Sequence, residues 1–254
     1  VICSISMETQ NGEHFNLLKE RNIPLVFFDR IPKDIPSSQV MVDNFQGAYE
    51  AVNLMIRSGK KRIAFISIPS HINVFQDRLN GYKKALDDSQ LVINEDFFIE
   101  QPNHSMGDGY AGAQKLMGLA ETPDAILAVS DDVAIGAIKY LKKIKIRIPE
   151  DVSVVGFDNG PMCIASDPEL TVVSQPISKL TLDCFELIMN QIKGNERQFR
   201  WFVSIDPAAH STYGGLFIAY HERTRQVFVL DELYIQDRMQ TSTKRVIPLI
   251  KDKC

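Results

Sequence analysis

The chain reads as an α/β protein built on doubly wound parallel sheets, and three observations predict that class. Short apolar runs at 125–129, 153–157 and 170–173 are rich in β-branched or aromatic residues and bounded by turn formers, as strands buried on both faces are. Each run ends in a polar cluster: Ser130-Asp131-Asp132, Asp158-Asn159 and Ser174-Gln175. Between the first two runs, Val133, Gly136, Ala137, Tyr140 and Leu141 recur at i, i+3, i+4, i+7 and i+8, which gives a helix one face to lay on a sheet. A strand-helix-strand unit aims both strand ends the same way. Open parallel sheets hold ligands outside the carboxyl ends of their strands, so Asp131 and Asp158 are expected to face one crevice.

The remaining elements follow in order. Residues 1–5 read as a strand, Phe15 and Leu18 mark a short helix, and the strand 24–28 ends in Asp29-Arg30. The segment 31–38 is a Pro-rich loop and 40–42 a further short strand. Asp43 or Asn44 caps a helix whose stripe of Ala48, Ala51, Val52 and Met55 ends at Gly59. A strand at 62–68, a helix at 77–88 with Leu79, Tyr82 and Leu86 inward, a strand at 97–101 and a helix at 107–119 come next. Asp132 is placed to cap the helix after 125–129, since a carboxylate there meets free backbone N–H groups. Ser178 is expected to cap a last helix that turns Leu180, Cys184, Leu187 and Ile188 inward and closes at Gly194.

Candidate ligand residues follow from chemistry. A small polyol needs fixed donors and acceptors that take its hydroxyls in pairs, and carboxylates, amides and guanidinium forks supply them. Asp29, Arg78, Ser130, Asp131, Asp158 and Gln175 form such a set at strand ends and a helix start. Arg78 can equally pair with Asp77 or lie solvated, and Asp132, Asp43 and Asn44 read as caps before they read as ligand groups.

These residues also carry a resemblance. PDAILAVSDDVAIGAI, IPEDVSVVGFDN and DPELTVVSQP resemble, in order and spacing, the effector-binding core of the LacI family of bacterial transcriptional repressors. IPLVFFDR (23–30), VDNFQGAYEAVNLMIRSGKKRIAFI (42–66) and RLNGYKKAL (78–86) resemble the same family, so the likeness covers about residues 1–195. It implies a two-lobed, periplasmic-binding-protein-like core with a cleft between the lobes: 1–42 with 175–195 as the N-terminal lobe and 43–174 as the C-terminal lobe. By matching position it assigns effector contacts to Asp29, Arg78, Ser130, Asp158 and Gln175, and places His104 where family members often present an aromatic ring. A small-molecule effector, a sugar by preference, is the implied ligand. The resemblance further implies a cytoplasmic homodimer that reaches operator DNA through a helix-turn-helix headpiece, expected to precede Val1 together with a first strand-helix unit. It implies neither enzymatic activity nor a cofactor.

Composition sets limits. The 254 residues, 44% hydrophobic and 24% charged, suffice for a sizeable core. A formal net charge of −4 argues against non-specific nucleic-acid binding. No apolar run approaches the roughly 18 residues that cross a membrane. Cys3, Cys163, Cys184 and Cys254 show no CxxC pairing and read as reduced core thiols. His14, His71 and His221 stand without metal-ligand spacing. GDGYAG at 107–112 matches GxGxxG, yet five residues separate it from the strand before it, whereas the dinucleotide fingerprint sits in the tight turn itself. Ser105 with Asp108 reads there as a capping box. The basic runs RSGKKR (57–62) and KKIKIR (142–147) follow helices, whose dipoles favour cations at that end.

From Trp201 the pattern changes. WFVSIDPAAHSTYGGLFIAYHERTRQVFVLDELYIQD gives strand-like runs at 201–205, 215–220 and 226–230, an antiparallel meander followed by a helix. Asp206 and the pair Asp231-Glu232 resemble the start of the ribonuclease-H-like nuclease domain of phage terminase large subunits, so that 201–254 would be a partial segment of it. Such nucleases hold two divalent metals with three or more carboxylates, which makes a metal-dependent nuclease the alternative function. An unrelated meander with turn carboxylates fits the same residues.

Overall fold

The computed structural model describes residues 1–6, 9, 11–32, 35–69, 72–193, 199–206, 212–221 and 226–236, the last three stretches as backbone. The elements are β1 (Ile2–Cys3), α1 (Glu13–Glu20), β2 (Val26–Phe28), β3 (Ser38–Val40), α2 (Asn44–Arg57), β4 (Ile63–Ser67) and α3 (Asn73–Asp88). A 3-10 turn (Glu95–Phe97) leads into β5 (Phe98–Glu100), followed by α4 (Met106–Met117), β6 (Ala125–Ala128), α5 (Asp131–Lys143) and β7 (Ser153–Asp158). Then come α6 (Met162–Ala165), β8 (Thr171–Ser174), α7 (Ile177–Lys193), β9 (Phe199–Asp206), β10 (Thr212–His221) and β11 (Gln226–Gln236). The chain divides into two compact units, one of Val1–Cys3, Glu13–Val26 and Cys184–Cys254, the other of Ser4–Gly12 and Phe27–Asp183.

The larger unit is organised by a five-stranded sheet in the order β5-β4-β6-β7-β8, all of whose pairings are parallel. Its central strands read as unbroken apolar runs because both faces are covered: every residue of β4 and β6 is buried. Alternation along the strands shows what covers them. Phe65 meets Tyr82 of α3, with ring centroids 5.3 Å apart, while the space beside its neighbour Ile66 is closed by Gly112 of α4. Likewise Phe157 faces Gly47 of α2, and Gly156 faces Ala134 and Asp131 of α5. Helices α2 and α3 therefore lie on one face and α4 and α5 on the other, the doubly wound arrangement expected. Tyr82 is buried, with its hydroxyl donating to the Ile63 carbonyl at 2.8 Å, and burial pushes that phenol up.

Several boundaries differ from the sequence reading, each for a local reason. The helix expected at 77–88 starts at Asn73, behind Ile72, which offers no capping oxygen to announce it. Ser130, not Asp132, caps α5 and accepts from the Val133 N–H, so Asp132 lies in the first turn. Ser178 is the second residue of α7 rather than its cap. The strand expected at 40–42 pairs at Ser38–Val40, and the short α6 carries no periodicity that a sequence can show. The capping box of α4 is as read, with Ser105 and Asp108 exchanging bonds. The GxGxxG glycines consequently lie inside that helix and away from any strand-to-helix turn.

In the smaller unit Gln191 of α7 holds the backbone of Leu25, accepting from its N–H at 3.0 Å and donating to its carbonyl at 3.2 Å. On α7 itself, Cys184 and Ile188 are buried as expected and Ile192 with them, while Leu180 and Leu187 are half-buried. β10 pairs antiparallel with both β9 and β11, giving the meander read from the sequence. Its register sets Asp206 opposite Gly214, Glu232 opposite Leu216 and Asp231 opposite Phe217. The helix expected after the meander, together with His71, Gly194 and Cys254, lies outside the described residues. Among the described residues, no helix is long and apolar enough to cross a membrane.

Candidate functional site

The carboxyl ends of β6, β7 and β8 deliver Val129-Ser130, Asp158 and Ser174-Gln175 to one edge of the five-stranded sheet. Arg78 reaches that edge from α3, one residue before the buried Leu79, and only 3% of its side chain is exposed. Three groups hold it. Nε donates to Asn44 Oδ1 at 2.9 Å, Nη1 donates to the Val129 carbonyl, and Nη2 donates to Asp158 Oδ1 at 3.1 Å. The guanidinium also lies 3.6 Å from the centroid of the Phe157 ring, a cation–π contact that a planar, weakly hydrated cation favours. Gln175 Nε2 donates to the same Asp158 oxygen. Asp158 therefore joins α3, β7 and the segment after β8.

The backbone at this junction is unusual. Asp158 has φ +111° and Asn159 φ +68°, conformations rare for residues with a side chain. Asp-Asn-Gly at 158–160 is the composition that tolerates such a turn. Strained positions held by several hydrogen bonds concentrate at binding sites, and here Arg78, Gln175 and the Asn159–Ser174 bond at 3.1 Å do the holding.

Electrostatics at the junction are a balance between burial and pairing. Burial lowers the Arg78 guanidinium, and the charges of Asp158, Asp29 and Asp131 oppose that shift. Burial likewise raises the Asp158 carboxyl; Arg78 and the Gln175 hydrogen bond pull it back, and the Asp131 charge adds to the rise. Asp131, 7% exposed, accepts from the Gly160 N–H at 2.6 Å and so ties the start of α5 to the turn after β7. Beside it, burial and then this carboxylate push the Cys163 thiol up to about 12.

The other expected residues take different places. Ser130 is the cap of α5. Asp29, at φ +58°, pairs with the Arg30 guanidinium at 3.6 Å, and its carbonyl accepts from Asn73 Nδ2 at 3.2 Å at the start of α3. His104 stands exposed in the loop before α4 and takes no part in the hydrogen bonds just described. Asn44 is the residue that sequence reasoning misplaced. Asp43 is the cap of α2, accepting from the Gln46 N–H, whereas Asn44 is buried, donates to the Val42 carbonyl at 3.1 Å and accepts from Arg78. A second polar residue directly after a sufficient cap, ahead of an apolar stripe, was the available signal. Among the described residues no group of three or more His, Cys, Asp or Glu could hold a metal.

Comparisons with known proteins agree with this fold. Residues 52–205 match the periplasmic binding protein-like domain family. The HTH-type transcriptional repressor PurR of Vibrio atlanticus is 29% identical over 184 residues, covering 72% of this chain and 55% of its own length. The chain thus spans about half the length of the curated relatives it matches. The crystal structure of a LacI-family regulatory protein from Chloroflexus aggregans aligns with a TM-score of 0.70 at 30% identity, covering 76% of this chain and 68% of that one. A complex of the transcriptional regulator CelR with cellobiose aligns with a TM-score of 0.69 at 28% identity, covering 76% and 59%. With a parallel doubly wound sheet, polar groups gathered at its carboxyl edge and a family match over more than half its residues, the chain belongs to the periplasmic binding protein-like domain family, as an effector-binding core of the LacI type.

Proposed function

We propose that this chain senses a small effector, a sugar by preference, for a LacI-type transcriptional regulator, and that the effector docks on Asp158, Gln175 and the groups around Arg78. The observation that carries the reading is the convergence of Arg78 and Gln175 on one Asp158 oxygen at the carboxyl edge of the sheet, where ligands of such sheets bind. Asp29, Ser130, Asp131 and His104 are the further contacts this reading assigns. Support for a sugar comes from the cellobiose named with CelR. In the whole regulator, operator DNA would be reached through a helix-turn-helix headpiece of a cytoplasmic homodimer, and the chain would need no catalytic activity. The nuclease reading of 201–254 draws no such support from the relatives.

Titration calorimetry against a panel of mono- and disaccharides and nucleosides tests the proposal. Asp158→Ala and Arg78→Ala are each expected to weaken the binding found by about 1–3 kcal/mol, because a polar partner is left unpaired. Unchanged affinity in both variants would remove the site from consideration.

A further inference from the structure

The site's charged groups are not equally accessible. Arg78 is the donor, yet its side chain is 3% exposed and its three nitrogens are committed to Asn44, Val129 and Asp158. Asp158 stands in front of it with 42% of its side chain exposed, and Asp29 is 29% exposed. Asp29 and Asp131 act on the same guanidinium. The Arg78 charge acts on Asp158 and pairs with it at 3.1 Å, and Arg30 is paired with Asp29. An arriving ligand therefore meets carboxylate acceptors first, and the positive charge that could receive an anion lies behind them, already neutralised.

Resting on the effector-site reading above, we infer that this site takes an uncharged or positively charged ligand through its O–H or N–H donors and turns away phosphorylated or carboxylated ones. A hydroxyl or ammonium group can donate to the exposed face of Asp158 without disturbing the Arg78 and Gln175 bonds. A phosphate would have to approach the carboxylate itself, against like charge.

Thermal melting of the whole chain tests this with two sets of probes. Inorganic phosphate, compared with chloride at equal ionic strength, is expected to leave the wild-type midpoint unchanged. Asp158→Asn keeps an oxygen for Arg78 and Gln175 but removes the charge. That variant is expected to gain a phosphate-dependent rise of about 2 °C. A phosphate-dependent rise in the wild type would overturn the inference, and so would indifference to phosphate in both proteins, since the carboxylate would then not be what excludes the anion. The second set is D-glucose, D-glucosamine and D-glucose 6-phosphate measured by calorimetry, where the phosphate is expected to bind at least about tenfold more weakly than the sugar that binds best. Equal or tighter binding of the phosphate also overturns it. Silence from all sugars counts against the effector reading, while the phosphate arm still decides the charge inference.

Discussion

Arg78 is a structural member of the candidate site, held by Asn44, Val129 and Asp158. Its Nε depends on Asn44, so Asn44→Ala leaves a buried donor of a charged group unpaired, and a loss of about 1–3 kcal/mol in urea unfolding is expected. Asn44→Asp retains the acceptor and should recover most of that loss, whereas an equal loss in both variants would show that packing, not the hydrogen bond, is what Asn44 supplies. Asp158 makes a pH prediction. Its folded carboxyl is raised, so the folded protein holds the proton more readily than the unfolded chain does. Ionisation therefore withdraws stability as pH rises from the unfolded value of about 4 through the higher folded value. Above that window the cost is constant. Asp158→Asn has no such proton to lose, and its melting temperature is expected to fall less than the wild type's between about pH 4 and pH 7; a steeper fall would mean that the Arg78 pairing outweighs burial. Asp158 and Gln175 were legible as polar groups closing apolar runs, and Arg78 as a cation one residue before the apolar Leu79 in a motif that resembles the family's. Asn44 was hidden by a rule that fits its neighbour: next to Asp43 it looks like a cap, and only the return of α3 in space brings a guanidinium to it.

At the scale of elements, the helix pairs on both faces of the sheet are set by glycines where backbones nearly touch. A Cβ added at Gly109 would lie 2.0 Å from the Val133 carbonyl oxygen, at Gly136 2.0 Å from that of Met106, and at Gly81 2.2 Å from that of Phe45. Backbone atoms cannot rotate aside as a side chain can, so the helices would have to separate and uncover core. Gly136→Ala or Gly109→Ala is expected to cost about 2–4 kcal/mol, in the range of overpacked cores. Gly59 is the control. With φ +88° and nothing within 4 Å of its added Cβ, Gly59→Ala should cost only the backbone strain, about 1 kcal/mol. Equal losses in chemical denaturation at Gly59 and Gly136 would refute the close-approach account. The glycines at 107, 109 and 112 illustrate the limit of motif reading, since the same spacing serves phosphate turns and helix contacts. What separated the two was distance from the preceding strand, which the sequence did show. Helix starts were less legible than helix faces: the apolar stripe of α3 is written in Leu79, Tyr82 and Leu86, while its first turn rests on tertiary contact and has no side-chain cap.

For the whole molecule, charge decides what the chain can hold without help. The two basic runs are the only dense positive stretches in the sequence, and the structure uses them locally. Arg57 ends α2, Lys60 donates to the carbonyls of Pro149 and Glu150 at 2.9 and 3.0 Å, and Arg62 binds the Thr122 carbonyl at 2.8 Å beside Asp124. In the second run Lys142 pairs with Asp167 and Arg147 with Asp151, both at 2.5 Å. These cations satisfy helix ends and carboxylates, and the sequence still carries a net charge of −4. A protein that binds DNA through phosphates loses affinity with salt at a slope of about −0.9 per neutralised phosphate. With Lys60, Arg62, Lys142 and Arg147 of these runs engaged locally and a net charge of −4, this chain is expected to show weak retention of duplex DNA at low salt, a shallow salt slope and no preference among sequences. Fluorescence anisotropy of a labelled duplex across a salt series reads all three. Tight, sequence-selective binding that survives about 150 mM salt would place a DNA-reading surface within these 254 residues and would contradict the assignment of DNA contact to a separate headpiece.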